Sequence, residues 1–256
     1  RRTRPARLTT AALRILVLAD DILPRVRATE RDLQRLAAGR TGRLHVAIDC
    51  HPCFQWLMPA LVAFRQQWPD VALDLSAAFS FAPLPALVRG DLDLVITSDP
   101  QTLEAVEFLP LFRYELVLAV SNQHPLSQYR YVEPFQLTDQ VLITYPVERN
   151  RLDIFTQFLT PADVEPAAIR QAELTPMIVQ LVASQRGVTA LPNWALTEFL
   201  NPASIRTCRL GEHGIWRTLY ATVRSEDLQA DYVQAFLAQA RETCFKSLQG
   251  IVAAQP

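Results

Sequence analysis

Leu44-His45-Val46-Ala47-Ile48-Asp49-Cys50-His51-Pro52-Cys53-Phe54-Gln55-Trp56-Leu57-Met58-Pro59-Ala60-Leu61 is the stretch that decides how this chain folds. Its first five residues form an apolar, strand-like run, and from Phe54 onward the pattern is that of an amphipathic helix. A strand feeding directly into a helix is the repeating joint of α/β architecture. Such a joint presents backbone N–H groups and the positive end of a helix dipole, which suits an anionic ligand group. Two thiols and an imidazole sit at the same point. His51, Pro52, Cys53 and Phe54 are therefore candidate contacts for something small, either a ligand or a redox partner.

Outward from this joint the chain alternates. Strands are expected at 44–48, 71–76, 92–97, 115–120, 141–145, 169–172, 188–191, 205–210 and 219–223. Helices are expected between them at 54–67, 83–88, 152–159, 176–185 and 227–248. Short apolar strands bounded by helices predict largely parallel sheets with helices on both faces. The chain is long for one such sheet. Asn122-Gln123-His124-Pro125 and the stretch to Pro134 read as entry into a second lobe, with the final helix returning to the first. Ligands of open α/β folds collect at the carboxyl ends of strands, so a cleft between the lobes is the expected site.

Upstream, residues 8 to 38 read as one long helix. Ile15, Leu18, Ile22, Val26, Thr29, Leu33 and Leu36 are spaced 3, 4, 4, 3, 4, 3, a seam suited to a facing helix on a second protomer. Pro24 should kink it. Gly39-Arg40-Thr41-Gly42 supplies glycines where a C-cap wants them.

Composition narrows the function classes. With 256 residues and 50% hydrophobic content the chain can bury a sizeable core. Residues 1–43 carry eleven Arg against four acids, a net +7 that leaves −8 for the remainder of a chain whose total is −1. The main body is thus no nucleic-acid binder by bulk charge, whereas the arm could touch phosphate, a partner or only solvent. Four cysteines are too few for a disulfide scaffold at this length, so a reducing, cytoplasmic compartment is the default. No apolar run reaches the roughly 18–20 residues of a membrane span. The opening Arg1-Arg2-Thr3-Arg4, without an initiator Met, suggests a fragment.

Several further groups could line the cleft. Thr97-Ser98-Asp99 follows a buried strand, and Asp99 could pair with an ammonium. Tyr145-Pro146 with Arg149 occupies the same place in the second lobe, Arg149 being a candidate carboxylate partner. Thr175-Pro176-Met177 reads as a second helix start, Thr175 as cap and Pro176 as first helical residue. Phe79 and Phe81 bracket the loop after the second strand and could wall the cleft or pack in the core. Cys50-His51-Pro52-Cys53 leaves three readings open: ligand contact, redox or soft-metal chemistry, and packing. A nucleophile–base set, a phosphate loop and a nucleotide-binding glycine motif are all missing, so neither catalysis nor a cofactor is indicated.

Four blocks carry a family resemblance: Arg43-Leu44-His45-Val46-Ala47-Ile48, Leu87-Val88-Arg89-Gly90-Asp91-Leu92-Asp93-Leu94-Val95-Ile96, Asn122-Gln123-His124-Pro125-Leu126 and Val182-Ala183-Ser184-Gln185-Arg186-Gly187-Val188-Thr189-Ala190-Leu191-Pro192. In this order and over essentially the whole chain, they resemble LysR-type transcriptional regulators. Asp49 to Leu61, Thr97-Ser98-Asp99 and the run Tyr145 to Asp153 resemble, within that family, the homocysteine-responsive regulators of methionine biosynthesis.

The resemblance implies an α/β effector-binding region of two Rossmann-like lobes around a central cleft, like the type 2 periplasmic binding proteins, preceded by a linker helix. Residues 1–42 would be a basic arm and that dimerisation helix. Residues 43–112 plus 226–256 would form lobe I, and 113–225 lobe II. The winged helix-turn-helix that reads promoter DNA would precede Arg1, and RNA polymerase is a further expected partner. Homodimers or tetramers would form through the linker helix and lobe I. No cofactor is implied, only a small effector, L-homocysteine. Its carboxylate would take the helix start near Pro52, Cys53 and Phe54, or that near Thr175 and Met177. Its ammonium would take Asp99 or Asp49, and its thiol end would lie against Phe81, Tyr145 or Met177. Two other classes stay open beside this one: a thiol–disulfide oxidoreductase or redox sensor using Cys50 and Cys53, and an amino-acid solute-binding protein.

Overall fold

The computed structural model describes residues 9–38, 42–77, 82–199 and 203–254. It opens on helix α1 (Thr10–Ala38), which continues without a break through Pro24. The expected glycine cap at 39–41 lies outside the described residues. Ile15, Leu18, Ile22, Val26 and Leu33 of α1 are exposed, while the side chain of Leu36 lies outside the description.

The body begins with the joint read from the sequence. Strand β1 (Gly42–Ile48) runs into a single 3-10 turn (His51–Cys53) and helix α2 (Phe54–Gln67). Trp56, Leu57, Ala60, Leu61 and Phe64 turn one face of α2 into the core, as the 3.6-residue period requires. Then follow β2 (Val71–Ala77), α3 (Pro83–Val88) and β3 (Leu94–Thr97). These three strands are parallel, β1 lying between β2 and β3.

Strand β4 (Val106–Ser121) carries the chain into its second half. There β5 (Tyr131–Val132), β6 (Val141–Thr144), a π-helical turn (Ile154–Leu159), β7 (Ala168–Gln171), α4 (Thr175–Ala183), β8 (Thr189–Pro192), α5 (Asn193–Leu196) and β9 (Ile205–Leu210) follow. Strand β10 (Ile215–Arg224) leads back, and helix α6 (Asp231–Ser247) ends the fold against α2.

Among the described residues the sheet order is β2-β1-β3-β10-β4-β9-β5, with β8 also on β4; β6 and β7 form a separate parallel pair. A largely parallel sheet was expected, and the centre corrects this. Strand β10 is antiparallel to both β3 and β4, and β4 is antiparallel to β8 and β9. The two strands that carry the chain across and back run in opposite directions side by side, so they can only pair antiparallel. The expected strand 115–120 starts nine residues earlier, at Val106. Pro110 concealed it, since proline removes a ladder donor; the register of β4 on β10 shifts opposite that point, between Leu219 and Tyr220.

Apolar clusters fill both halves. One unites β1, α2, β10 and α6 around Trp56, Phe64, Phe112 and Phe236, and takes in Trp194 from α5. Others gather around Leu142, Phe155 and Leu159, and around Ile143, Ile178 and Val182. At the far end of β10, Arg224 is buried and tied to Asp93, 3.0 Å away, to Asp227, and to the Leu87 carbonyl at 2.8 Å. Arg43 reaches the same Asp93 carboxylate at 3.0 Å.

Candidate functional site

Asp49 is the first residue beyond β1. Its backbone N–H is fixed by the Ile96 carbonyl (2.9 Å), so the end of β1 stays in register with β3 and the carboxylate is held at the strand ends. There it lines a cleft between the two halves of the chain. The wider part is a cavity of about 580 Å³ bordered by Asp49, Pro83, Thr97, Asp99, Pro146, Glu148 and Arg151 among others. A narrower continuation of about 110 Å³ is walled by Cys50, His51, Pro52, Ser98, Tyr114, Tyr145, Asp153 and Pro192. Asp49, Asp99, Val147 and Arg151 border both.

Ion pairs cross this cleft. Arg151, in a 3-10 turn of the second half, pairs with Asp49 of the first. The Thr97 hydroxyl lies at 3.5 Å from the other Asp49 oxygen and accepts the Asp99 N–H at 3.1 Å. Arg217, on β10, donates to the Ser98 carbonyl at 2.9 Å and to Asp99 Oδ1 at 3.0 Å, and lies 3.2 Å from Asp153 Oδ2. Four carboxylates (Asp49, Asp99, Glu148 and Asp153) thus face the cleft, against the guanidinium of Arg151 and that of Arg217 behind them. The excess is negative, which favours a ligand bearing a cation. Burial raises the carboxyls of Asp49 and Asp153 above their usual range, with Arg151 and Arg217 respectively opposing it.

His51 and Tyr145 join the halves a second way. Their rings stack 4.1 Å apart at an interplanar angle of 14°. Burial, then the Arg151 charge, lowers the His51 pKa to about 4, so the stacked imidazole is neutral at pH 7. The Tyr145 phenol, pushed up to about 12 by burial, shares a 2.7 Å hydrogen bond with the Thr175 hydroxyl.

Of the residues singled out in the sequence, His51, Pro52, Thr97, Ser98, Asp99 and Tyr145 border the cleft. Cys53 is fully buried just behind it and is joined to Cys50 by a disulfide, where two thiols were expected. Phe54 is exposed at the start of α2. Thr175 touches the cleft only through Tyr145. It is the first residue of α4 rather than its cap, the capping position falling to Leu174, and its hydroxyl is engaged by the Tyr145 phenol. Pro176 and Met177 are exposed and do not border the cleft. Phe81, like Phe79, lies outside the described residues. Arg149 does not face the cleft: its guanidinium covers the Phe155 ring at 4.1 Å and pairs with Glu165, in a separate hollow. Arg151, at the other end of the same 3-10 turn, borders the cleft instead.

Glu148, Arg151, Asp153 and Tyr114 border the cleft and were not among the contacts expected from the sequence, and Arg217 stands behind them. Glu148, Arg151 and Asp153 lie in the run Tyr145 to Asp153, but Arg217 sits in mid-strand, 118 positions from the Asp99 carboxylate it holds. Among the described residues no group of three or more His, Cys, Asp or Glu could hold a metal ion, and no helix is long and apolar enough to cross a membrane.

The chain is similar to known proteins over most of its length. Residues 37–245 match the LysR substrate binding domain family. The HTH-type transcriptional regulator MetR of Escherichia coli strain K12 is 38% identical over 241 residues, which cover 94% of this chain and 74% of that protein. Its counterpart in Haemophilus influenzae is 36% identical over 251 residues, covering 98% and 81%. The solved regulatory domain of MetR, a LysR family regulator from N. meningitidis, superposes with a TM-score of 0.79 at 36% identity, covering 83% of this chain and 98% of that one. These relatives are regulators, which sets aside an enzyme or a transport protein as the class of this molecule. A two-halved α/β body with a charged cleft at its strand ends, matched over most of its length, belongs to the LysR substrate-binding family and is the effector-binding region of a LysR-type transcriptional regulator.

Proposed function

We propose that the cleft binds a free α-amino acid as its zwitterion, that this amino acid is L-homocysteine, and that its binding controls methionine-biosynthesis genes. The observation that carries the reading is the ion pair between Asp49 of the first half and Arg151 of the second. An α-amino acid brings an ammonium and a carboxylate on one carbon. Entering between the two side chains, it offers its ammonium to Asp49 and its carboxylate to the fork of Arg151, so neither charge is left unpaired. The carboxylates of Asp99 and Glu148, which also border the cleft, add to the pull on the ammonium. The sulfur end then points along the narrower passage, where Cys50, His51 and Tyr145 offer polarisable and aromatic surface.

The partition into lobe I (43–112 plus 226–256) and lobe II (113–225) is the movement this reading needs. A ligand that exchanges one inter-lobe ion pair for two protein–ligand pairs alters how the lobes close, provided its affinity differs between the open and closed states. The exposed stripe Ile15, Leu18, Ile22, Val26 and Leu33 supports pairing of α1 with a second copy. Through that pairing the movement would reach a DNA-binding domain preceding this chain, and from there promoter DNA and RNA polymerase, in the cytoplasm. Isothermal titration calorimetry with L-homocysteine, L-methionine and L-cysteine tests the reading. Saturable heat largest for homocysteine supports it; equal heats, or none, in folded protein remove homocysteine as the effector.

A further inference from the structure

The ion pairs leave one feature of the cleft unexplained. Cys50 and Cys53 are joined by a disulfide, and Cys50 borders the narrow passage between Asp49 and His51. Cys50 is half-buried and lines the cleft whereas Cys53 is fully buried, so a molecule in the cleft can meet Cys50 and not Cys53. The free cysteines sit elsewhere: Cys208 donates to the Leu126 carbonyl, and Cys244 is packed in the core with Phe236 and Ala240.

We propose that this disulfide is a reaction site for a thiol-bearing amino acid held in the cleft, which is captured reversibly as a mixed disulfide on Cys50. The proposal rests on the reading of the cleft as a zwitterion site. In the step, the ligand thiolate attacks Sγ of Cys50 and a new S–S bond forms between the ligand and Cys50. The Cys50–Cys53 bond breaks, its electron pair leaves on the Cys53 sulfur, and that sulfur takes up the proton the ligand thiol released. Nothing is oxidised or reduced overall, the ligand thiol being the one co-reactant.

Position and environment set the direction of attack. Cys53 is the N-cap of the 14-residue helix α2, whose positive dipole end favours a departing thiolate. Full burial works against keeping that charge, so the opened form is held only weakly and the exchange stays reversible.

Selectivity follows from the same arrangement. Once displaced, Cys53 remains beside Cys50 and can close the ring again, expelling any thiol that has no other hold. Only a thiol also anchored through its ammonium by Asp49 and its carboxylate by Arg151 persists against that competition. A thioether such as methionine has no S–H and cannot enter the exchange. Capture is also felt across the cleft, because Cys50 precedes and Cys53 ends the turn whose His51 ring stacks on Tyr145.

The test is intact-mass spectrometry, with peptide mapping, of the full 256-residue chain in its disulfide form. It is incubated with L-homocysteine, L-methionine or 2-mercaptoethanol and quenched with acid without reductant, and calorimetry is run on the same samples. The proposal expects a mass gain of one whole homocysteine on the peptide carrying Cys50, lost on adding reductant and absent with methionine. At equal concentration it should accumulate roughly tenfold or more above the mercaptoethanol adduct. In Arg151→Ala it should fall to the mercaptoethanol level. Heat of binding with homocysteine but no adduct overturns the covalent step and leaves the zwitterion reading standing. Equal adducts with homocysteine and mercaptoethanol also overturn it, because capture would then owe nothing to the cleft. Neither heat nor adduct removes the zwitterion reading together with this one.

Discussion

Strand β10 carries two arginines seven positions apart that do opposite work. Arg224 is only 6% exposed and is closed in by Asp93, Asp227 and the Leu87 carbonyl. Arg217 is 23% exposed and holds Asp99 and Asp153, carboxylates that border the cleft. The first network lies within one end of the sheet and joins β10 to the segments around α3 and β3. The second lies where the two halves of the chain face each other. A buried, fully surrounded ion pair fixes architecture, because removing either partner leaves an uncompensated charge. A part-exposed pair at a cleft can trade one partner for a ligand at modest cost. Burial rather than residue type separates the two roles.

Substitutions sharpen the contrast. Arg224→Ala takes the buried guanidinium away from Asp227 and from Asp93, which keeps Arg43, and should lower unfolding free energy by about 3–5 kcal/mol in urea denaturation. Arg217→Ala should cost less than half of that. A larger loss for Arg217 than for Arg224 would break the comparison. Arg151→Ala should weaken L-homocysteine binding by roughly 10–100-fold, about 1.4–3 kcal/mol, as the loss of a charge-assisted pair implies. Its effect on affinity should exceed its effect on stability.

Smaller effects come from the ring contact. His51 has its pKa lowered from 6.5 to about 4, so between those values the unfolded chain binds the proton more readily. Its contribution to stability is therefore full above pH 6.5 and is lost as the pH falls towards 4. Allowing for partial exposure, the loss should be on the order of 1–2 kcal/mol. Asp49 and Asp153, with raised values, titrate in the opposite sense: what they contribute is present below their ordinary pKa and lost as pH rises through the folded one. Replacing the imidazole in His51→Gln should flatten the stability profile between pH 4 and 6.5, measured by thermal denaturation. Tyr145→Phe keeps the stacked ring and removes only the 2.7 Å bond to Thr175, for a loss of about 1 kcal/mol.

The fold was readable where its signals are local. The strand-to-helix joint at Ile48–Phe54, the helices at 54–67 and 83–88 and the strand at 205–210 follow from periodicity and punctuation within a few residues. What escaped depends on distant pairing. The antiparallel centre of the sheet and the early start of β4 across Pro110 are settled by β10, more than 100 positions away. The same division runs through the cleft. Asp99 and Tyr145 could be read because each follows its own strand. Arg217 could not, because nothing near it in sequence distinguishes it from a surface arginine until β10 lies beside β3. Arg149 and Arg151 are the two ends of one 3-10 turn, and residue identity gives no hint of which faces inward.

The central claim is that a zwitterion divides the Asp49–Arg151 pair, and a crystal structure of this chain with L-homocysteine tests it most directly. The account predicts the ligand ammonium on Asp49, its carboxylate on Arg151, and those two side chains no longer touching. Homocysteine bound with the Asp49–Arg151 pair intact, or lodged instead in the hollow beside Arg149 and Phe155, would contradict it.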